Sequence, residues 1–135
     1  MNKILFILPL FILVFSLKSS SQETICEASY YHSKFEGRGT ANGEIFRNSK
    51  YTAAHKNLKF GTWVKLTNTK NDSVCYVRVN DRLPQSSKRC IDLTQQAAKQ
   101  LNMLRSGTAK VRFEIVKEQD VPEIFKSEIE LKKKK

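Results

Sequence analysis

Several things are missing from this 135-residue chain, and each absence removes a class of protein. No apolar run is long enough for a comfortable membrane span. The longest, Ile4 to Phe15, is twelve residues interrupted only by Pro9, whereas a span needs about 20. With Lys3 ahead of it and Ser19, Ser20 and Ser21 behind, the run has the layout of a secretory signal covering residues 1–21, cut after Ser21. No cysteine follows the run where a lipid anchor would attach, because Cys26 lies well beyond it. The expectation is therefore an exported protein of the periplasm or cell envelope, soluble after cleavage and without a lipid anchor. No zinc spacing links Cys26, Cys75 and Cys90 to His32 or His55, so no metal is expected. No internal repeat is visible, and the length leaves room for one domain. Acidic residues are scarce: the net charge is +11, or +9 once Lys3 and Lys18 leave with the signal. Yet no helix carries a dense basic stripe and no sheet alternates aromatic with basic residues, so nucleic acid is not expected as a partner. For an exported protein the anionic partners are wall polymers, lipid headgroups and surface polysaccharide.

What is present is mostly strand-like. Ala28–Tyr31, Trp63–Thr67, Val74–Asn80 and Val111–Ile115 read as strands, the last three by their period-2 alternation, and turn signals such as Asn68–Asp72 separate them. Gly37, Gly39 and Gly43 mark a long loop. The stretch Asp92–Leu101 is the single helical segment, with Asp92 or Thr94 as its cap and Leu93, Ala97 and Leu101 at helical spacing. Many short strands and one brief helix suggest a small closed barrel, in which closure removes exposed edges. Beyond Lys117, Val121, Ile124, Phe125 and Ile129 permit a weak amphipathic helix before four terminal lysines. That tail reads either as a solvated, frayed end or as an electrostatic contact with an anionic surface. An oxidising compartment allows one disulfide and one spare thiol. Cys75–Cys90 closes the shortest loop, but the pairing stays open.

Three polar groups stand at element ends: Glu44 in TANGE, His55 in YTAAH before the second strand, and Asp81 in VND. Two carboxylates and a histidine are the groups that move protons around a glycosidic bond. Each also has a structural reading. Glu44 can bond its own loop or pair with Arg38 or Arg47; His55 can hold the turn into FGTWV through its ring N–H; Asp81 can pair with Arg82 or Arg89. If the alternation of Cys75, Val77 and Val79 continues, Asp81 shares their face, and partial burial would let its acid form persist. Tyr30, Tyr31 and Trp63 suit stacking on sugar rings or packing inside a barrel. Asp72 and Asp92 read as turn and helix-start residues.

The segments ASYYHSKFEGRGTANGEIF, YTAAHKNLKFGTWVKLTN, VRVNDRLP and KRCIDLTQQAAKQLNML, in this order, resemble the rare lipoprotein A (RlpA) family over residues 27–116. The resemblance implies a mainly β fold, a six-stranded double-psi β-barrel with one short helix. A short lead at 22–26 would precede it and a basic tail at 117–135 would follow. It implies a peptidoglycan lytic transglycosylase in which Asp81 is the acid/base, with His55 and Glu44 lining the same groove. Asn80 and Arg82 of the NDR motif, with Tyr30 and Tyr31, would contact substrate. The expected substrate is the glycan strand, envelope or divisome proteins are further partners, and no metal or organic cofactor is needed. Departures from the family pattern are Leu83 where glycine is usual, Lys59 in LKFGT, His32 after the tyrosine pair, and Cys90 in place of a branched aliphatic residue. Two other readings are a barrel that binds glycan without cutting it and a hydrolase in which Glu44 and Asp81 form the carboxylate pair.

Overall fold

The structure, a computed structural model, describes residues 23–126 and the isolated positions 9 and 12. Apart from those two positions the expected signal lies outside the described residues, as do the terminal lysines. Six strands, β1 (Thr24–Tyr30), β2 (Thr52–His55), β3 (Trp63–Asn68), β4 (Val74–Arg82), β5 (Ile91–Leu93) and β6 (Thr108–Val116), close into a barrel in the order β1-β5-β2-β4-β3-β6. β1 pairs parallel with β5 and β2 parallel with β4, while the other neighbours are antiparallel. This is the mainly β, six-stranded barrel expected. The α-helix α1 (Gln95–Gln100) and two short 3-10 turns at Ser33–Phe35 and Glu118–Asp120 accompany it, and residues 123–126 are helical as well.

The differences from expectation have local causes. β1 starts at Thr24, inside the segment expected to be a short lead. His55 ends a strand instead of preceding one. β5 occupies the stretch expected to begin the helix, because Ile91 and Leu93 both point into the core and Asp92 between them points away. Thr94 is then the cap: it is extended at φ −63° and ψ 157°, and its hydroxyl accepts the N–H of Ala97.

Alternation builds the core. Leu66 faces Cys75 and Val64 faces Val77 across β3 and β4, and Ala53 lies between Val79 and Leu93. All seven are fully buried. Each large aliphatic side chain so placed contributes about 1.5–3 kcal/mol. Ala97 and Ala98 let α1 approach the barrel wall.

The disulfide joins Cys26 to Cys90, not the pair closing the shortest loop. Cys75 points into the core opposite Leu66, where burial pushes its thiol well up and leaves it inert. The start of the tail is not frayed. Val121 is buried, and the Phe125 ring packs 4.8 Å from Tyr51 and 5.3 Å from Tyr76.

Candidate active site

The carboxylate of Asp81 owes its direction to a bulge. β2 and β4 pair Ala53 with Val79, but the next partners are Ala54 and Asp81, so Asn80 is an extra residue in β4. That extra residue breaks the alternation. Asp81 therefore does not share the face of Val77 and Val79, as simple parity predicts. It lies on the face of its partner Ala54, outside the core. Ala54 also pairs with Asp92 of β5, which pairs with Ser29 of β1. Four strands thus present one row on the outer face of the barrel wall: Ser29, Asp92, Ala54, Asp81.

The bulge is held from outside by the loop of residues 38–46. Asn80 is buried; its carbonyl accepts the Asn42 amide and its side-chain amide donates to Glu44. Glu44 is placed by Gly43, whose φ of +88° suits glycine alone. Arg78 then grips Glu44 with both guanidinium nitrogens, at 2.6 and 2.8 Å, and Asn42 adds a further donor at 3.0 Å. These bonds, Arg78 first, lower the Glu44 carboxyl to about 2 against some desolvation. Neither Arg38 nor Arg47 is its partner; Arg47 lies near Glu36 instead. Glu44 is therefore a clamp on the bulge, with no proton to give and no oxygen free to activate water.

Asp81 accepts three hydrogen bonds. The Tyr31 hydroxyl donates at 2.5 Å, and the backbone amides of Ala41 and Arg82 donate at 2.9 Å each. Tyr31 is wedged against Phe46 and Phe35, with ring centroids 4.4 and 5.7 Å away. Burial first, then the Asp81 carboxylate, holds its phenol far above its ordinary value, so Tyr31 stays a donor.

His55 is built differently. It pairs with Arg82, one step beyond the Ala54–Asp81 pair, so its ring leaves the opposite face and stacks toward Phe113 at 5.4 Å. Its Nδ1 accepts the amides of Asn57 and Leu58, at 3.2 and 3.1 Å. The turn is held by a ring acceptor, not by the ring N–H. Burial, reinforced by Arg82 and Lys56, lowers its pKa. The neutral ring carries its proton on Nε2 and has no free lone pair to act as a base.

The remaining expected residues divide. Tyr30 points away and donates its hydroxyl to the Leu104 carbonyl at 2.7 Å. Trp63 is buried in the wall. Arg82 stacks its guanidinium 3.9 Å from the Phe60 ring, which is 41% exposed, and so forms a surface beside the site. Leu83 is 7% exposed and does not protrude into the groove. Among the described residues only Asp72 and Asn102 are non-glycines with positive φ, so the usual glycine is not required at Leu83 by its backbone.

The residue sequence reasoning missed is Asp92. Ser29 donates to it at 2.9 Å, and Arg89 donates to the Ser29 hydroxyl at 2.8 Å. Burial, countered by Ser29 and Arg89 and reinforced by Asp81, raises its pKa. A period-2 reading of C-I-D-L was the available signal. A concavity of about 740 Å3 lies elsewhere, bordered by Asn68, Lys70, Arg105 and Lys110. None of the acid–base candidates reaches it. Among the described residues no cluster of His, Cys, Asp and Glu suits a metal ion.

Comparison with known proteins agrees with this geometry. The chain is 46% identical over 87 residues to the endolytic peptidoglycan transglycosylase RlpA of Haemophilus influenzae, covering 64% of this chain and 30% of that protein. It is 52% identical over 84 residues to the probable endolytic peptidoglycan transglycosylase RlpA of Treponema pallidum, covering 62% and 26%. The chain thus spans under a third of the length of these relatives. Among solved structures, the Streptomyces papain inhibitor superposes with a TM-score of 0.58 at 22% identity, over 71% of this chain and 96% of that one. The expansin of Clavibacter michiganensis gives 0.56 at 17%, over 74% and 53%. At such identities these two show the fold alone. A family model described as lytic transglycolase matches residues 24–113, from the start of β1 to the middle of β6, and the chain belongs to that family, as an RlpA-like double-psi β-barrel.

Proposed function

We propose that this barrel is a peptidoglycan lytic transglycosylase that cleaves the bond between N-acetylmuramic acid and N-acetylglucosamine and leaves a 1,6-anhydro end. The observation that carries the reading is the bulge that turns Asp81 out of the core to the outer face of the wall, beside Tyr31. Support comes from relatives named for that activity, at 46 and 52% identity over this same barrel. Ser29 and Ala54 are buried at 3 and 1% exposure, so the glycan meets the row at its partly exposed members, Asp81 and Asp92. The Arg82–Phe60 stack offers a second contact surface.

In this reaction a proton reaches the glycosidic oxygen, the C1–O bond breaks, and the muramyl 6-hydroxyl closes on C1 as it loses its proton. The substrate supplies its own nucleophile, so no water is consumed. Asp81 is the carboxylate on which this transfer turns, and Tyr31 orients it. Glu44 and Asn80 act by holding the bulge, and His55, on the opposite face, holds the turn at Asn57 and Leu58. The site is the cell envelope, with glycan strands as the partner and envelope or divisome proteins as further ones.

The test is a digest of purified peptidoglycan, with and without stem peptides, analysed by mass spectrometry for wild type and Asp81→Asn. Anhydro-ended sugars that vanish in the variant are the expected result. Reducing ends would mean hydrolysis. Glycan bound by wild type without any product would mean a binding barrel.

A further inference from the structure

The row on the outer wall holds two carboxylates, not one. Asp81 and Asp92 are the cross-strand partners of the same residue, Ala54, on its two sides. Their Cα atoms are therefore two strand spacings apart, about 9–10 Å. Ala54 between them is buried, and Tyr31, bonded to Asp81, also feels the charge of Asp92. The two are dressed in opposite ways. Asp81 receives three donors, one of them a phenol. Asp92 receives one, the Ser29 hydroxyl, which is itself engaged by Arg89. When two acids in one site have unlike surroundings, the roles of donor and acceptor divide between them.

Resting on the transglycosylase reading above, we infer that Asp92 is the proton donor to the departing glycosidic oxygen, and Asp81 the carboxylate that takes the proton of the muramyl 6-hydroxyl. The Asp92 proton moves to the oxygen, and the electron pair of the broken C1–O bond stays with that oxygen as the new N-acetylglucosamine hydroxyl. The 6-oxygen bonds to C1 as Asp81 accepts its proton. One proton has passed from Asp92 to Asp81, nothing is oxidised, and exchange with solvent returns it. Burial raises the Asp92 pKa, the direction a proton donor needs. The groups that face it are Ser29, Arg89, Asp81 and Tyr31.

The experiment compares two substrates: peptidoglycan, and a muramyl glycoside of 2,4-dinitrophenol, whose oxygen leaves without a proton. Asp92→Asn should lower anhydro-product formation from peptidoglycan about 100-fold or more, yet release dinitrophenolate within about tenfold of wild type. Asp81→Asn should fail on both. In wild type, the rate on peptidoglycan should fall as pH rises and Asp92 ionises, and that limb should be missing with the aryl substrate. The wild-type comparison needs no variant, so it decides the point even where Asp92→Asn does not fold. Unchanged cleavage of peptidoglycan by Asp92→Asn, or an equal loss on both substrates, overturns the donor role. Absence of anhydro ends from wild type overturns the transglycosylase reading instead.

Discussion

Two acidic regions flank the bulge of β4, and they have been solved in opposite ways. On one side Glu44 is locked to a cation and two amides, and its carboxyl falls to about 2. On the other, Asp92 has a hydroxyl and a distant guanidinium, and burial raises it. The first arrangement makes a fixed anion that holds a loop in place. The second makes a carboxyl that holds its proton more firmly than a free one. Residue type says little about which is which; the neighbours decide it.

The comparison breaks most completely if the clamp is opened. Arg78→Ala leaves Glu44 without its cation and should cost about 2 kcal/mol, measured by urea unfolding. Anhydro-product formation should fall along with it, because the bulge loses its anchor. Glu44→Gln keeps one amide contact and should cost about 1 kcal/mol, since the Glu44 side chain is 38% exposed and solvent screens the pair. Both variants should retain a measurable rate, which separates a clamp from an acid/base.

Tyr31→Phe sharpens the other side. It removes the phenol that orients Asp81 and leaves the ring packed against Phe46 and Phe35. Steady-state digestion should show kcat down about tenfold with stability changed by about 1 kcal/mol or less.

The smallest effect is a contrast in pH. Glu44 has a folded value below its unfolded 4.5, so its stabilisation is present above about 4.5 and is lost as pH falls toward 2. Asp92 has a folded value above its unfolded 3.8, so its contribution is present below 3.8 and is lost as pH rises through the raised value. Thermal melts across pH 2–7 should therefore lose their acid-side slope in Glu44→Gln. In Asp92→Asn they should show a midpoint at neutral pH higher than wild type, by about 4 °C or less.

How much of this was legible in the sequence depended on period. Cys75, Val77 and Val79 announce a strand, and the same reading carries Trp63, Val111 and the helix around Ala97. It fails at Asn80, because a bulge is an interruption of period with no residue signature of its own. Extrapolating through it put Asp81 on the wrong face. Three-residue β5 failed for a different reason. Leu93 fits the helical spacing of Ala97 and Leu101 as well as it fits a strand beside Ile91, so Asp92 read as a cap. The motif set brought Asp81 and Tyr31 together, as their hydrogen bond does, but grouped His55 with them. Only strand register reveals that adjacent residues of β2, Ala54 and His55, serve opposite faces. The Glu44 partner was misjudged because Arg78 lies on a strand distant in sequence.

The bond between Cys26 and Cys90 has a bearing on time as well as on shape. It joins residues 64 apart, at the seam where β1 meets β5 in parallel. Closing such a loop in a free chain is slow and entropically costly, and in the chain-entropy model the crosslink removes about 4 kcal/mol of that cost. An oxidised chain that loses its structure still has this seam tethered, with Ser29 three residues from Cys26 and Asp92 two from Cys90. The pairings of β3 with β4 and β4 with β2 are closer in sequence and faster to find, whereas β1 with β6, up to 113 − 24 = 89 residues apart, is left to the chain. The chain thus carries one of its long-range contacts as a covalent memory.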